Sequence, residues 1–398
     1  MAKLTEVARR LREADWLLRP ETQRLLGLLD GAQYRTRAVG GIVRDTILAM
    51  PRDLAEVDFA TELLPADVMR RAAAAGIPAY PTGIEHGTVT LRVDALIAEV
   101  TTLREDIETD GRHAVVRFGT DWARDAARRD FTLNALYVGQ DGTLFDPIGG
   151  LDDCLERRVR FIGDAATRIA EDRLRVYRFF RFSASHAGEA LDPAGLSAAI
   201  AAAPDTQHLA RERVGAELRR MLALPKMART LRVMADAGLV PLSADALKLL
   251  KGYESQARRP DLVARLALIL VDTDPDALQA AWRLSNDHIA GAGRLLSAAR
   301  LLTGFAINEA AYRYPGLLSE AVDVAATLAG WTEAAKLALR EQLEALQVPR
   351  FPISGRDLIA SGMPPGPAIG QALEWLERLW IDSSFALGRE ALLALLKD

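Results

Sequence analysis

Strand-forming sequence stops near residue 145, and that limit constrains the fold of this 398-residue chain more than any other feature. Before it, short β-branched runs ("RTRAVGGIV", "EVDFAT", "HGTVTLRVDALIAEVTTLR", "LNALYV") alternate with helical patterns. Alternation within 86–104, broken by turn signals, predicts two adjacent strands. From about residue 150, Ala, Leu and Arg recur in helical periods, punctuated by "ALDPAG", "AAAPDT", "ALPK", "RRPD" and "VPRFPISG". The expected class is α+β: a small α/β head, then helices to the end. The Pro- and Gly-rich segment 348–367 predicts a hinge before a last helical unit.

Fifty basic against fifty-four acidic residues leave a net charge of −4, so the chain as a whole does not advertise nucleic-acid binding, although a local basic stripe fits inside that total. The single cysteine, Cys154, excludes an internal disulfide and a cysteine-rich zinc site, and favours a reducing cytosol. No run approaches the roughly 18 apolar residues of a membrane span. "MAKLTEVARRLREADWL" reads as an amphipathic helix without a signal segment. A soluble, cytoplasmic protein is expected.

In "AVGGIVRD" (38–45), Val39 would end a strand and Ile42 onward begin a helix, with Gly40–Gly41 at the turn. Glycines there let backbone amides approach a phosphate, and Arg44, a turn further on, could reach the same anion. Alone, the turn reads more readily as structural than as a phosphate site. In "EVDFAT" (56–61), Glu56 and Asp58 project from one face of a strand. Adjacent carboxylates repel unless cations lie between them, as in a two-metal phosphoryl-transfer site; an isolated pair would read as a solvated edge. Asp53 falls on the opposite face. Glu99, in "ALIAEVTTL", is either a third carboxylate or an edge residue. His86 and His113 have no ligand-spaced neighbours and read as polar turn and loop residues.

Seven stretches in order, "GGIVRD", "EVDFAT", "GIEHGTVT", "EVTTLREDIETDGRHAVVRFG", "RRDFTLNALY", "DPIGGLDD" and "EDRLRVYRFFRF", span 38–182. Together they resemble the class II tRNA nucleotidyltransferases (CCA-adding enzymes) and their bacterial poly(A) polymerase relatives. "FPISGRDLIASGMPPGPAIGQALEWL" is similar to the family's tail. The resemblance implies a polymerase-β-like nucleotidyltransferase head over 1–145, then an all-α neck (146–205), body (206–345) and tail (346–398). It implies template-independent addition of CCA to the tRNA 3′ end from CTP and ATP, with Glu56 and Asp58 catalytic and holding two Mg²⁺ ions. Gly41, Arg44, Arg129, Arg178 and Arg181 would bind the nucleotide, and Asp172 and Arg175 would read its base. No motif calls for a membrane or an obligate protein partner.

On one continuous helix, at about 100° per residue, Asp172 and Arg175 would lie about 60° apart, Arg178 a further 60° round and Arg181 about 180° from Asp172. An acceptor beside a donor fork matches the exocyclic amine and ring nitrogen shared by cytosine and adenine; guanine and uracil present the wrong order. Asp146 in "DPIGG" is expected to brace the head. Segment 103–125 is similar to a flexible family loop linked to accepting ATP after CTP. Arg211, Arg213, Arg219 and Arg220 predict either a solvated helix face or an RNA phosphate contact. Trp375 and Trp380 read as packing residues.

The family usually writes the metal pair as Asp–x–Asp. Here the first ligand is Glu56, about one methylene longer, after a turn ("AMPRDLA") about two residues longer, which could set the backbone back to compensate. The alternatives are a poly(A) polymerase or partial CC- or A-adding enzyme of the same fold, and a catalytically weakened RNA-binding protein. A Rossmann dehydrogenase is a distant third, since the glycines are not spaced G-x-G-x-x-G.

Overall fold

The computed structural model describes residues 2–51, 56–110 and 113–396, with backbone alone at 2, 105–110 and 113–116. Asp53 therefore lies outside the described residues, as does most of the turn before Glu56. The chain forms two compact units, 1–217 with 236–239, and 218–235 with 240–398.

The first unit carries all the described strands: β1 (Thr36–Val39), β2 (Glu56–Thr61), β3 (Ala79–Gly83), β4 (Thr88–Val93), β5 (Leu96–Thr102), β6 (Arg104–Asp110), β7 (His113–Phe118), β8 (Tyr137–Val138) and β9 (Leu144–Phe145). Seven make one sheet in the order β3-β4-β5-β2-β1-β8-β9, while β6 and β7 pair separately. Within the large sheet β2 and β5 run parallel and the other neighbours antiparallel. The expected pair within 86–104 is the β4–β5 hairpin. One face is apolar: Val57, Phe59, Val89, Leu91, Ala98 and Val100 are buried, and the helix Pro65–Ala74 packs on β4 and β5. The alternate residues Glu56, Asp58 and Glu99 are exposed on the other face, the one-sided pattern that alternation dictates.

Segment 103–125 is corrected: it is not a plain loop between strands but the β6–β7 hairpin followed by the helix Trp122–Ala127, because 104–110 and 113–118 satisfy each other's backbone groups. Asp146 acts locally, as the cap of the helix that follows it. Its two carboxylate oxygens accept from Gly150 N and Leu151 N, each at 2.9 Å, and so start the helix Gly150–Leu155. An aromatic cluster, Phe131, Phe161, Phe179 and Phe182, joins the end of the head to the helix Arg175–His186.

The second unit is helical throughout its described residues. Its sequence punctuation supplies caps: Asp261 of "RRPD" accepts from Ala264 N at 2.9 Å, and Ser354 with Asp357 forms a capping box. Arg265, fully buried, pairs with Glu254 at 2.7 Å. Trp380 lies in the tail core with Ile353, Leu358 and Leu376. Trp375 is corrected: it is 44 % exposed, on the opposite side of its helix from that core. No described helix is long and apolar enough to cross a membrane.

Two glycines predict opposite outcomes. A methyl carbon on Gly150 would sit 2.2 Å from the Thr132 carbonyl oxygen, whereas one on Gly27, inside the helix Pro20–Leu28, meets nothing within 4 Å. In urea denaturation, Gly150→Ala is expected to lose about 1–3 kcal/mol, and Gly27→Ala to gain about 0.5–1 kcal/mol.

Candidate active site

The acidic pair forms because β2 alternates. Val57 is buried while Glu56 and Asp58 face outward. Glu99 sits directly beside Asp58 in the parallel β2–β5 register. Burial first, then the charges of Asp58 and Glu56, push the Glu99 carboxyl above its ordinary value. Three carboxylates thus share one face of the sheet, on adjacent strands. Among the described residues no group of three or more His, Cys, Asp or Glu side chains is placed to hold a metal ion, so Glu56 and Asp58 offer a pair of donors rather than a cage. The donor set fits hard cations that complete their shells with phosphate oxygens rather than with protein alone.

At the strand end, Gly40 adopts φ 76° and ψ −129°, a conformation open to glycine, and the helix Gly41–Ile47 starts there. A Cβ on Gly40 would lie 3.9 Å from Arg129 Nη1, so the second arginine of "RRD" is brought to the turn. Arg129 Nε donates to the Tyr137 hydroxyl at 3.2 Å and its Nη2 to Asp125 at 3.3 Å. Asp125 also accepts from Arg128 at 2.8 Å and from Tyr137 at 3.0 Å.

The expectation that Arg44 reaches outward is corrected. Its side chain is 6 % exposed, with Nε on Asp45 at 2.8 Å and Nη1 on the Asn134 side-chain oxygen at 2.6 Å, so it braces the turn from behind.

The single helix expected across "EDRLRVYRFFRF" is also corrected. One helix spans Ala165–Glu171, Asp172 is extended, and the next begins at Arg175. The cause is local: the Asp172 carboxylate accepts from Leu174 N at 3.1 Å, which breaks the first helix and opens the second. The 60° calculation therefore does not apply to Asp172, although Arg175 N still bonds Asp172 O at 3.0 Å and keeps the two adjacent.

Each base- or phosphate-directed group in this segment has a partner. Asp172 accepts from Arg213 at 2.8 Å. Arg175 donates to Glu171 at 2.6 Å, Arg178 to Asp130 at 2.8 and 2.5 Å, and Arg181 to Glu217. Arg213, expected on a solvated or RNA-facing side, instead belongs to this network.

Residues 36–160 match the family model for the poly A polymerase head domain. The chain is 33% identical over 383 residues to the mitochondrial CCA tRNA nucleotidyltransferase 1 of Danio rerio, covering 92% of this chain and 88% of that protein. It is 31% identical to the CCA-adding enzyme of Geobacillus stearothermophilus, covering 96% and 98%. The crystal structure of the Bacillus stearothermophilus CCA-adding enzyme in complex with CTP matches at a TM-score of 0.77 and 30% identity, over 96% of this chain and 98% of that one. The chain belongs to the class II CCA-adding tRNA nucleotidyltransferases.

Several residues of the candidate site of this CCA-adding family member escaped sequence reasoning. Asp125, Asp130, Asn134, Glu171 and Glu217 hold the arginines, and Arg168 donates to the carbonyls of Arg128 and Arg129. Their signal was present, since an acid lies three or four positions before Arg128, Arg129 and Arg175, but partners distant in sequence carry none. Burial pushes Asp125 up, yet Arg129 and Arg128 hold it below the ordinary carboxylate value; Arg178 and Asn134 do the same for Asp130.

A lowered folded pKa gives stability that is complete above the unfolded value of about 3.9 and is lost as pH falls through the folded one. Melting temperature is therefore expected to drop steeply with acidification below about pH 4. Asp125→Asn should lose about 3 kcal/mol at pH 7, with a smaller further loss in acid. Parallel acid profiles for the two proteins would refute the assignment.

Proposed function

We propose that Glu56 and Asp58 are the catalytic metal ligands and that the arginine network around them binds CTP and ATP for addition of CCA to the tRNA 3′ end, with release of pyrophosphate. The observation that carries this reading is the shared face of Glu56, Asp58 and Glu99, on a strand whose Phe59 pairs with Ala38, two residues before Gly40. Two Mg²⁺ ions, when bound, would supply charge neutralisation for the triphosphate and activation of the primer hydroxyl. Glu56 and Asp58 supply oxygen donors from one strand face, and the extra methylene of Glu56 keeps both charge and donor type.

The chain's own groups do the rest. Glu99, beside Asp58 in the strand register, accepts the proton of the attacking 3′-hydroxyl. Gly41 opens the turn for the triphosphate, which Arg129 and Arg178 meet with fixed donor forks and Arg44 meets with charge from behind. Arg181 adds positive potential further along the same helix. Asp172 accepts from the exocyclic amine of cytosine or adenine, using lone pairs beyond those that Leu174 and Arg213 occupy; Arg175 donates to the ring nitrogen. Head and neck fall in the first unit, tail and most of the body in the second, which would hold the tRNA by shape and backbone. A cytoplasmic setting accords with the lone buried thiol, Cys154.

The test is extension of tRNA lacking its CCA, with CTP, ATP or both, in Mg²⁺. Two additions with CTP and a third on adding ATP are expected. ATP runs alone would indicate a poly(A) polymerase, and tRNA binding without turnover would overturn the reading. Glu56→Gln and Asp58→Asn should each lower kcat by about 10²–10³-fold or more, Glu56→Asp should stay active, and Asp172→Ala should admit UTP.

A further inference from the structure

His186, the last residue of the helix Arg175–His186, is buried against the turn helix Gly41–Ile47 and has no part in the chemistry above. Its Nε2 lies 3.3 Å from Asp45 Oδ1. That same oxygen accepts from Arg44 Nε and Nη2, each at 2.8 Å, while Arg44 Nη1 is held by Asn134. The ring of Phe182 lies 5.2 Å from the Arg44 guanidinium and 5.4 Å from the imidazole. Arg44, Asp45 and His186 are 5, 8 and 6 % exposed.

The other ring nitrogen, Nδ1, lies 2.5 Å from Ser185 Oγ, which is itself 2.9 Å from the Arg181 carbonyl. Two arrangements satisfy every atom. With neutral imidazole, Nε2–H donates to Asp45 and the Ser185 hydroxyl donates to Nδ1. With imidazolium, Nδ1–H donates to Ser185, whose proton turns to the Arg181 carbonyl. The site therefore accommodates either charge state, an unusual provision for a buried histidine.

We propose that His186 is a positioning residue for nucleotide binding: through Asp45 it fixes the Arg44 guanidinium behind the Gly40–Gly41 turn, and its second proton loosens that hold. The inference rests on the nucleotide-binding reading given above. The charged groups facing His186 are Asp45 and Arg44 from the turn helix and Arg181 from its own. Cys154, from the helix Gly150–Leu155, faces Arg44 and Asp45 and stays a neutral thiol, pushed up to about 12 by burial. Nε2–H donates to Asp45 Oδ1 in both states, but the imidazolium draws that oxygen more strongly and repels the neighbouring Arg44 guanidinium, so Arg44 loses part of its restraint. Burial lowers the imidazole pKa below its ordinary value, so the neutral form serves at pH 7 and the charged form gains only in mild acid.

The experiment measures kcat and KM for CTP and ATP on tRNA lacking CCA, from pH 5.5 to 8, with thermal melts alongside. His186→Leu is expected to raise both nucleotide KM values about three- to tenfold at pH 7.5, more than it changes kcat. His186→Gln, whose amide can still donate to Asp45, should restore the native KM. The native protein's KM should rise below pH 6.5 more steeply than that of His186→Gln, which reports only the triphosphate's own protonation. Unchanged KM in the leucine variant, no rescue by glutamine, or parallel pH profiles would overturn the proposal. Should His186→Leu fail to fold, the pH profile of the glutamine variant decides. Failure of the native protein to extend tRNA at any pH sinks the parent reading; a working native protein indifferent to His186 sinks this one alone.

Discussion

Asp130 is the interaction on which the site depends. Its buried carboxylate accepts from Phe131 N, from the Asn134 amide and from two nitrogens of Arg178, so one side chain ties the "RRD" segment to the helix that follows the head. Asn134 in turn holds Arg44, and Asp125 holds Arg128 and Arg129. The turn helix and the arginine helix also meet where Arg44 lies over the Phe182 ring and where His186 reaches Asp45. Packing among phenylalanines is tolerant of small slips, whereas a buried carboxylate that accepts four hydrogen bonds is not. The geometry of the nucleotide site is thus set by polar groups inside the fold rather than by its surface.

The head was legible in the sequence wherever local periodicity decided the outcome. Alternation located β2, β4 and β5, placed Glu56 and Asp58 on one face, and put Val39 at the end of a strand. The punctuation of the helical part proved to be caps, as at Asp261 and Ser354. The buried tail tryptophan, Trp380, was legible too.

What failed to show was of two kinds. Asp172 broke a helix that composition favoured, because a short carboxylate offered the backbone a closer partner than the next helical turn; spacing rules presuppose the very continuity it removes. Arg44 turned inward because Asp45 and Asn134, one adjacent and the other ninety positions away, compete for a guanidinium that sequence alone would send to solvent. Arg213 found Asp172 for the same reason. Long-range pairing leaves no periodic trace, so a row of arginines looks alike whether it faces RNA, nucleotide or a hidden acid. Trp375 shows the converse, since a large apolar ring is no proof of burial.

The pairing of Arg175, Arg178 and Arg181 with Glu171, Asp130 and Glu217 has a consequence for turnover. Each carboxylate is an internal rival for the phosphate or base edge that its arginine would grip. Ligand entry is then an exchange of one partner for another, with little net change in charge, instead of the filling of a bare cationic hole. On the proposed assignment, pyrophosphate departing after each addition would leave behind arginines that already have somewhere to go. A site of this kind resists clogging by its own product and by stray anions, and its grip is greatest for a ligand that replaces several partners at once.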